Sequence, residues 1–473
     1  MNTGLIPDHV FRGYDLRGLA DSELIEDNVK NLAKAYATWL IQRRITDCVL
    51  GYDCRTSGPK FAKACIEGLT ESGINVYALG MTLTQIAYFA QYYFRTRGMM
   101  MITASHNPKE YNGFKLATGY SETMLTHEVI AFRELYKSGS YMTTGTLGTV
   151  KDFDIREEYF KDVLRHVGPI APMKVVVDAC SATAGAFLPD LLRKAGCDVV
   201  EQNTTPDGSF PTGTPDPTER HVLTRLGKRV VEEHADLGFA YDADGDRMGV
   251  VDAHGTLIWN DTLCALYAKD ILHHLPHSKI VFNALCSKSV TETIEKEGGI
   301  PIMWKTGHSY IKEKVKIESA PFGGELSGHF YFLDNFYGHD DGAIASLRLL
   351  AYLSETKKPL HEEVALLPQY VSSPEIKLGC PDAVKIALIS GDIASKLKAL
   401  YPDASYNEID GVRMDTESEM IIIRASQNGP YITVKFEAKT QKAYDVLKDQ
   451  ISGILHKHPE ISFEEGVNVD SFE

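Results

Sequence analysis

The feature that most limits how this chain can fold is a rhythm of short apolar runs and amphipathic runs that starts over more than once. In the first third, "DCVLGYD", "INVYALG" and "GMMMITA" are short and apolar, as buried strands are. Around them lie "IEDNVKNLAKAYATWLIQ", "SGPKFAKACIEGLTESG" and "TQIAYFAQYY". The first puts Ile25, Val29, Leu32, Tyr36, Trp39 and Leu40 on one helical face. The second has Pro59 near a helix start and Gly73 just past its end. Such alternation predicts an α/β domain with a largely parallel sheet.

The rhythm restarts at "MKVVVDA", after the charged segment "KDFDIREEYFKDVLRHVG", and runs through the helix "AGAFLPDLLRKAG" to the strand "ADLGFAY". A third cycle holds "KIVFNAL", "SVTETIEKEGG", "IPIMW" and a helix after "GHDDG". Beyond "LPQYVSSPE" the pattern changes to two strands, "MIIIRAS" and "YITVKFEA", and a last helix. The expected division is three similar α/β domains at 1–150, 151–254 and 255–368, then a smaller α+β domain at 369–473. The cycles share element order but no readable sequence repeat. A length of 473 residues suits three or four domains.

A formal net charge of −15 argues against nucleic acid or an acidic membrane as partner, since both need a basic footprint. It leaves room for a small anionic substrate, because distant surface charges are screened. The eight cysteines form no C-x-x-C pair, so reduced thiols are expected. "MNTGLIPDHV" lacks the pattern of a signal peptide, and no apolar run is long enough for a bilayer. A soluble, cytoplasmic protein is expected.

Ligands of open α/β sheets bind beyond the carboxyl ends of strands, so loops that follow strands carry the chemistry. "LGFAYDADGDRMGVV" sets Asp242, Asp244 and Asp246 at alternate positions, followed by Arg247. Three carboxylates so placed can converge on one hard cation; without one they repel. An EF-hand would need Gly where Arg247 stands and Glu where Ala253 stands. Mg2+, which keeps few protein ligands and accepts a phosphate oxygen, suits the set better. The competing reading is an exposed acidic turn.

"MITASHNPKEYNGFK" places Ser105 just after a buried strand, outside any G-x-S-x-G elbow. The chain also lacks the Gly-rich signatures of P-loop and dinucleotide enzymes. His106 neighbours Ser105, and on extended chain the two would point to opposite sides. It is therefore not expected to act directly on Ser105. Lys115 can neutralise a phosphate or move a proton. In "GGELSGHF", Glu325 and Ser327 alternate with small residues and suit vicinal sugar hydroxyls. "MWKTGHS" adds Lys305 and His308 at another strand end. "IIIRASQNGPYITVKF" offers Arg424, Ser426, Gln427 and Asn428 between two strands, where an anion cup can form.

These loops, with "FRGYDLRG" and "PDGSFPTGTPDP", resemble in order and spacing the α-D-phosphohexomutase superfamily, and within it the bacterial phosphomannomutase/phosphoglucomutase group. The likeness covers almost the whole chain. It implies a heart-shaped, four-domain architecture, three similar α/β domains with mixed sheets plus a smaller C-terminal α+β domain, with one loop from each domain in a shared cleft. It implies reversible conversion of hexose 1-phosphate and hexose 6-phosphate, of mannose or glucose, through a phosphoserine and a hexose 1,6-bisphosphate. Ser105 matches the phosphoserine, and Mg2+ would be held by its phosphate with Asp242, Asp244 and Asp246. Arg247 would steady the phosphoserine region, and Glu325 and Ser327 would take sugar hydroxyls. Arg424 and Ser426 would hold the phosphate that is not transferred. Tyr14 and Arg17 belong to the N-terminal motif, and His106 and Lys115 are candidates for proton transfer and charge balance. The resemblance is compatible with a monomer or homodimer.

The chain departs from the group twice. Its terminal loop usually reads Arg-x-Ser-Asn-Thr, whereas Gln427 and Asn428 end it here. A lysine expected in the third domain is absent from Asn283, Ala284 and Leu285. Leu326 stands where phosphoglucosamine mutases usually carry Gln, which favours mannose and glucose phosphates. The rival readings are phosphoglucosamine mutase, an aspartyl-phosphate phosphatase using Asp242, and a sugar-phosphate-binding relative without turnover. The phosphatase pattern needs Thr or Val where Asp246 stands.

Overall fold

A computed structural model describes residues 4–427 and 429–472. The first cycle builds a sheet from β1 (Leu16–Leu19), β2 (Asp47–Tyr52), β3 (Asn75–Met81), β4 (Gly98–Ile102), β5 (Tyr111–Gly119), β6 (Glu122–Thr123) and β7 (Val150–Asp152). The order is β1-β5-β4-β2-β3-β7, with β6 beside β5. Strands β4, β2, β3 and β7 run parallel, as their helix-length crossovers require. β1, β5 and β6 join antiparallel, so the sheet is mixed, as the family resemblance implies, where the alternation alone predicts a largely parallel one.

β5 accounts for the difference. A short connection after β4 returns the chain beside it, which only antiparallel pairing permits. β5 is hard to recognise in the sequence because Asn112, Gly113 and Lys115 occupy buried positions where apolar residues are expected. A side chain at position 113 would lie 2.1 Å from the Leu16 carbonyl oxygen, so β1 can approach only a glycine. Helices Glu26–Gln42, Gly58–Glu71 and Thr126–Ser138 bury Leu32, Tyr36, Phe61 and Phe132 in a core with Leu50 and Phe114. Each such side chain contributes about 1.5–3 kcal/mol by leaving water. β7 extends this first sheet past residue 150.

The second cycle forms β8 (Lys174–Asp178), β9 (Asp198–Gln202), β10 (Leu237–Tyr241), β11 (Met248–Asp252) and β12 (Leu257–Ile258), in the order β12-β11-β10-β8-β9. β10 and β11 form a hairpin, and residues 242–247 are its connection. The helix expected at "AGAFLPDLLRKAG" is broken into a 3-10 turn, Thr183–Ala186, and a helix, Leu188–Lys194, with Pro189 in its first turn.

The chain divides into two compact units. The first comprises Met1–Asn260, Val315–Gly323 and Ser327–Glu363; the second, Asp261–Lys314, Gly324–Leu326 and Val364–Glu473. In the second unit β13 (Lys279–Asn283) and β14 (Ile300–Trp304) pair in parallel, with Asn283 opposite Trp304. β15 (Phe322–Gly324) and β16 (Phe330–Phe332) flank the segment where the chain leaves one unit for the other and returns.

The C-terminal sheet contains β17 (Val371–Ser372), β18 (Ile376–Gly379), β19 (Ser405–Asn407), β20 (Val412–Asp415), β21 (Glu419–Ala425), β22 (Tyr431–Ala438) and β23 (Ser462–Val467). Its order is β19-β20-β21-β22-β18-β23, with β17 beside β22. Helix Gln441–Leu455, capped by the Thr440 hydroxyl on the Ala443 N–H, packs Leu447, Ile451 and Leu455 with Ile421, Ile423 and Val434. All eight cysteines are free thiols. Among the described residues no helix is long and apolar enough to cross a membrane.

Candidate active site

Ser105 follows β4 and is 1% exposed. Its Oγ donates to Asp242 Oδ2 at 2.7 Å and lies 3.2 Å from His106 Nδ1. The proximity of His106 corrects the sequence expectation, which took the chain to be extended. Ser105 instead has a left-handed φ of 49°, so the two neighbouring side chains converge. That backbone conformation costs about 1–3 kcal/mol unless the surroundings impose it.

The surroundings do impose it. The fully buried Arg55 guanidinium donates to four carbonyls of the serine segment: Ser105 at 2.6 Å, Asn107 at 2.7 Å, Pro108 at 2.7 Å and Tyr111 at 3.0 Å. Asp53 balances its charge at 3.1 Å and accepts from Thr103 Oγ1 at 2.7 Å. Arg17 braces the other flank, donating to Asn107 Oδ1 at 2.7 Å and Ala104 O at 3.3 Å while paired to Asp15. Tyr14 is buried near the Arg17 and Arg247 guanidiniums.

The aspartates are not an exposed turn, for Asp242, Asp244 and Asp246 are all 0% exposed. Helix Thr84–Phe94 fastens their loop: Thr84 Oγ1 donates to Asp244 Oδ2 at 2.5 Å and Gln85 Nε2 to Gly245 O at 2.9 Å. Gly342, which opens helix Gly342–Thr356, passes so close that a Cβ there would lie 2.6 Å from Gly245 O. From β5, the Lys115 ammonium donates to Asp244 Oδ2 at 2.7 Å and to Asp246 Oδ2. Burial opposes its charge, but Asp244 and Asp246 outweigh that and raise its pKa well above the usual range. Lys115 is therefore a fixed cation in this arrangement.

Burial, with the charges of Asp244 and Asp246, pushes the Asp242 carboxyl well above the ordinary carboxylate range. Burial also opposes ionisation of Asp246, but Lys115 and His329 hold it well below that range. One ammonium does not satisfy three buried carboxylates. Asp244 Oδ1 and Asp246 Oδ1 are buried and receive no hydrogen bond. Oxygens of Asp242, Asp244 and Asp246 lie within 4.8 Å of one another, as do ligand atoms of Asp246, His329 and Asp340. The acidic triad fits a hard divalent cation, which takes oxygen ligands and offsets this repulsion. Arg247 stands beside it, 3.8 Å from Asp242 Oδ2, with its Nε donating to His329 Nε2 at 3.3 Å. Ser327 Oγ lies 3.1 Å from His329 Nδ1, which ties Ser327 to the same group.

The second unit gathers the other candidates. Glu325 is 0% exposed and accepts from the Gly307 N–H at 2.8 Å, which ties it to the Lys305–His308 turn. Asn283 accepts from the Leu326 N–H at 3.1 Å and donates to Thr306 Oγ1 at 3.2 Å. At the strand end where the expected lysine is missing, Asn283 thus joins two loops. Arg424 pairs with Asp410 at 2.8 Å, and the same carboxylate oxygen accepts from the Thr306 N–H. Arg424, Ser426 and His308 are buried. Asn428 lies outside the described residues.

Sequence reasoning did not single out four residues that shape these loops. Arg55, His329 and Tyr310 carry no local signature. Lys385, in helix Asp382–Leu388, buries an ammonium that donates to Ser426 O at 2.5 Å, Gly429 O at 2.8 Å and Asp382 Oδ1 at 2.6 Å. It thereby holds the backbone between β21 and β22 at Ser426 and Gly429.

Comparison with known proteins places the chain in a family. Family models described as phosphoglucomutase/phosphomannomutase, alpha/beta/alpha domains I, II and III, match residues 8–130, 157–255 and 259–370. A phosphomannomutase/phosphoglucomutase of Pseudomonas aeruginosa is 35% identical over 94% of this chain and 94% of its own. A phosphoglucomutase of Neisseria meningitidis is 33% identical over 96% of this chain and 98% of its own. Among solved structures, a phosphoglucomutase/phosphomannomutase family protein from Burkholderia thailandensis is similar at a TM-score of 0.87 and 30% identity, covering 96% and 98% of the two chains.

Proposed function

The chain belongs to the phosphoglucomutase/phosphomannomutase family and is a hexose-phosphate mutase, an isomerase of carbohydrate metabolism, and from that premise we propose that Ser105 is its phosphoryl carrier. The observation that carries the assignment is the buried Ser105 hydroxyl, 2.7 Å from Asp242 in a loop whose backbone four Arg55 contacts hold. The proposed substrates are the 1- and 6-phosphates of mannose and glucose.

Phosphorylated Ser105 gives its phosphoryl group to the free hydroxyl of a hexose monophosphate. The bond from phosphorus to Ser105 Oγ breaks, a bond to the sugar oxygen forms, and the sugar hydroxyl loses its proton. The product is a hexose 1,6-bisphosphate, which also acts as activator by rephosphorylating an idle serine. The opposite phosphate then returns to Ser105. Asp242, Asp244 and Asp246 would hold Mg2+ with a phosphate oxygen, and the ion would neutralise charge on the moving group.

The chain's own residues do the remaining work by positioning and charge, which dominate phosphoryl transfer. Lys115 and Arg247 balance the charge of the phosphoserine. The ion pairs that keep Lys115 cationic favour that role for it and leave His106, 3.2 Å from Ser105 Oγ, as the proton carrier. Glu325 and Ser327 read the sugar hydroxyls, and Lys305 and His308 stand beside Glu325. Arg424, Ser426, Gln427 and Asn428 hold the phosphate that stays. Arg17 and Tyr14 support the serine loop. The division into four functional domains follows from these loop roles.

The test combines a coupled assay with a mass measurement. Mannose 1-phosphate, glucose 1-phosphate and glucosamine 1-phosphate are offered with Mg2+ and a trace of hexose 1,6-bisphosphate. Turnover of the first two and phosphate on the Ser105 peptide are expected. Turnover of glucosamine phosphate alone would reject the substrate assignment. A phosphopeptide at Asp242, or full activity of Ser105→Ala, would reject the carrier.

A further inference from the structure

The terminal loop departs from the expected pattern at Gln427, and a neighbouring tyrosine holds that side chain. Tyr310 lies in the first turn of helix His308–Glu318 and is 4% exposed. Its hydroxyl donates to Gln427 Oε1 at 3.1 Å. The Lys305 ammonium sits over the Tyr310 ring, 3.9 Å from its centroid, where the ring's negative face attracts a cation. All three residues belong to the second compact unit.

A phosphate monoester dianion only accepts hydrogen bonds. A side-chain amide has one end that accepts and one that donates, so an anion site can use only the NH2 end. An unrestrained glutamine samples many rotamers and can present either end. A fixed hydroxyl on Oε1 engages the end that would repel the anion and leaves Nε2 as the end available to it. Lys305, by bracing the ring, holds the hydroxyl in place.

We propose that Tyr310 is a positioning residue that orients Gln427 so that its amide NH2 faces the substrate phosphate. The inference rests on the reading that the Arg424 loop holds the phosphate that is not transferred. It adds that the longer Gln427 serves this chain only when Tyr310 holds it. Position 310 thereby tunes affinity for phosphate without touching substrate.

The experiment is steady-state kinetics on glucose 1-phosphate and mannose 1-phosphate. It compares wild type, Tyr310→Phe, Gln427→Ala, Gln427→Glu, the Tyr310→Phe/Gln427→Ala double variant and Arg424→Ala, with melting temperatures alongside. Losing one hydrogen bond predicts a KM raised about three- to tenfold in Tyr310→Phe, with kcat nearly unchanged. The double variant should be no worse than Gln427→Ala alone, which a merely structural tyrosine would not produce. Gln427→Glu keeps the acceptor for Tyr310 but loses the donor, so its KM should rise about tenfold or more at an unchanged melting temperature. An unchanged KM in Tyr310→Phe or in Gln427→Glu overturns the inference. So does an equal further loss from Tyr310→Phe in the Gln427→Ala background. If KM rises in Arg424→Ala while these fail, the loop's role stands and only the Tyr310 inference falls. If Arg424→Ala leaves KM unchanged, the reading of the loop fails and takes the inference with it.

Discussion

The serine loop of the first unit and the anion loop of the second both depend on a buried cation gripping backbone carbonyls, but the cations differ. Arg55 holds four carbonyls of the serine segment, and Lys385 holds two carbonyls of the anion loop. Guanidinium is planar and directs its donors in a rigid fork, whereas ammonium is a compact charge on a flexible stem. The phosphoryl transfer proposed for Ser105 would need a fixed attacking geometry, for which a fork is the better restraint. A loop with the proposed role of only seating a phosphate would tolerate a looser one. The contrast extends to charge: the serine side concentrates buried carboxylates, while the anion side pairs the Arg424 guanidinium with Asp410.

Five substitutions at four positions probe that contrast. The largest effect is expected from Asp246→Asn, which removes one of the triad's charges and a partner of Lys115. Turnover should fall about a hundred- to a thousandfold and Mg2+ binding by calorimetry should weaken. Unchanged Mg2+ affinity would detach the triad from the metal. Arg55→Met leaves Asp53 buried without its cation and should cost about 3–5 kcal/mol in urea unfolding. Arg55→Lys should recover little of that loss, because an ammonium cannot reproduce the fork. A full rescue by lysine would erase the contrast between the two loops.

Effects on the anion side should be smaller and confined to binding. Arg424→Ala should raise KM about ten- to a hundredfold, the range for a lost charge-assisted hydrogen bond. Lys385→Met should raise KM only about three- to tenfold, since it loosens the loop without removing a phosphate contact. A collapse of kcat in Lys385→Met would place that loop in the chemical step.

The alternation of strands and helices, and the rule that ligands gather beyond strand ends, made the architecture and the chemistry-bearing loops legible in the sequence. Ser105, the three aspartates, Lys115 and Arg247 do come together in one buried group. What stayed hidden depends on contacts remote in sequence or on backbone shape. Arg55 sits in an ordinary-looking loop, and its carbonyl partners lie 50 to 56 residues away. β5 was obscured because its buried positions include a lysine whose counter-charges come from another sheet's hairpin. The proximity of His106 to Ser105 depends on a left-handed residue, which side-chain alternation does not reveal. Lys385 carries no local signal because the carbonyls it serves belong to a loop some forty residues downstream.

The path of the chain has a consequence for how the molecule is made. The first unit ends at Glu363, whereas the second begins at Asp261. A nascent chain leaving the ribosome in order cannot finish the first unit before much of the second has emerged. His329, Asp340 and helix Gly342–Thr356, which border the aspartate loop, are among the last parts of the first unit to arrive. A polypeptide stopped at Asn260 would carry Ser105 and all three aspartates yet lack those supports. The proposed catalytic centre therefore matures late in biosynthesis, when the parts proposed to bind sugar phosphate are already being made.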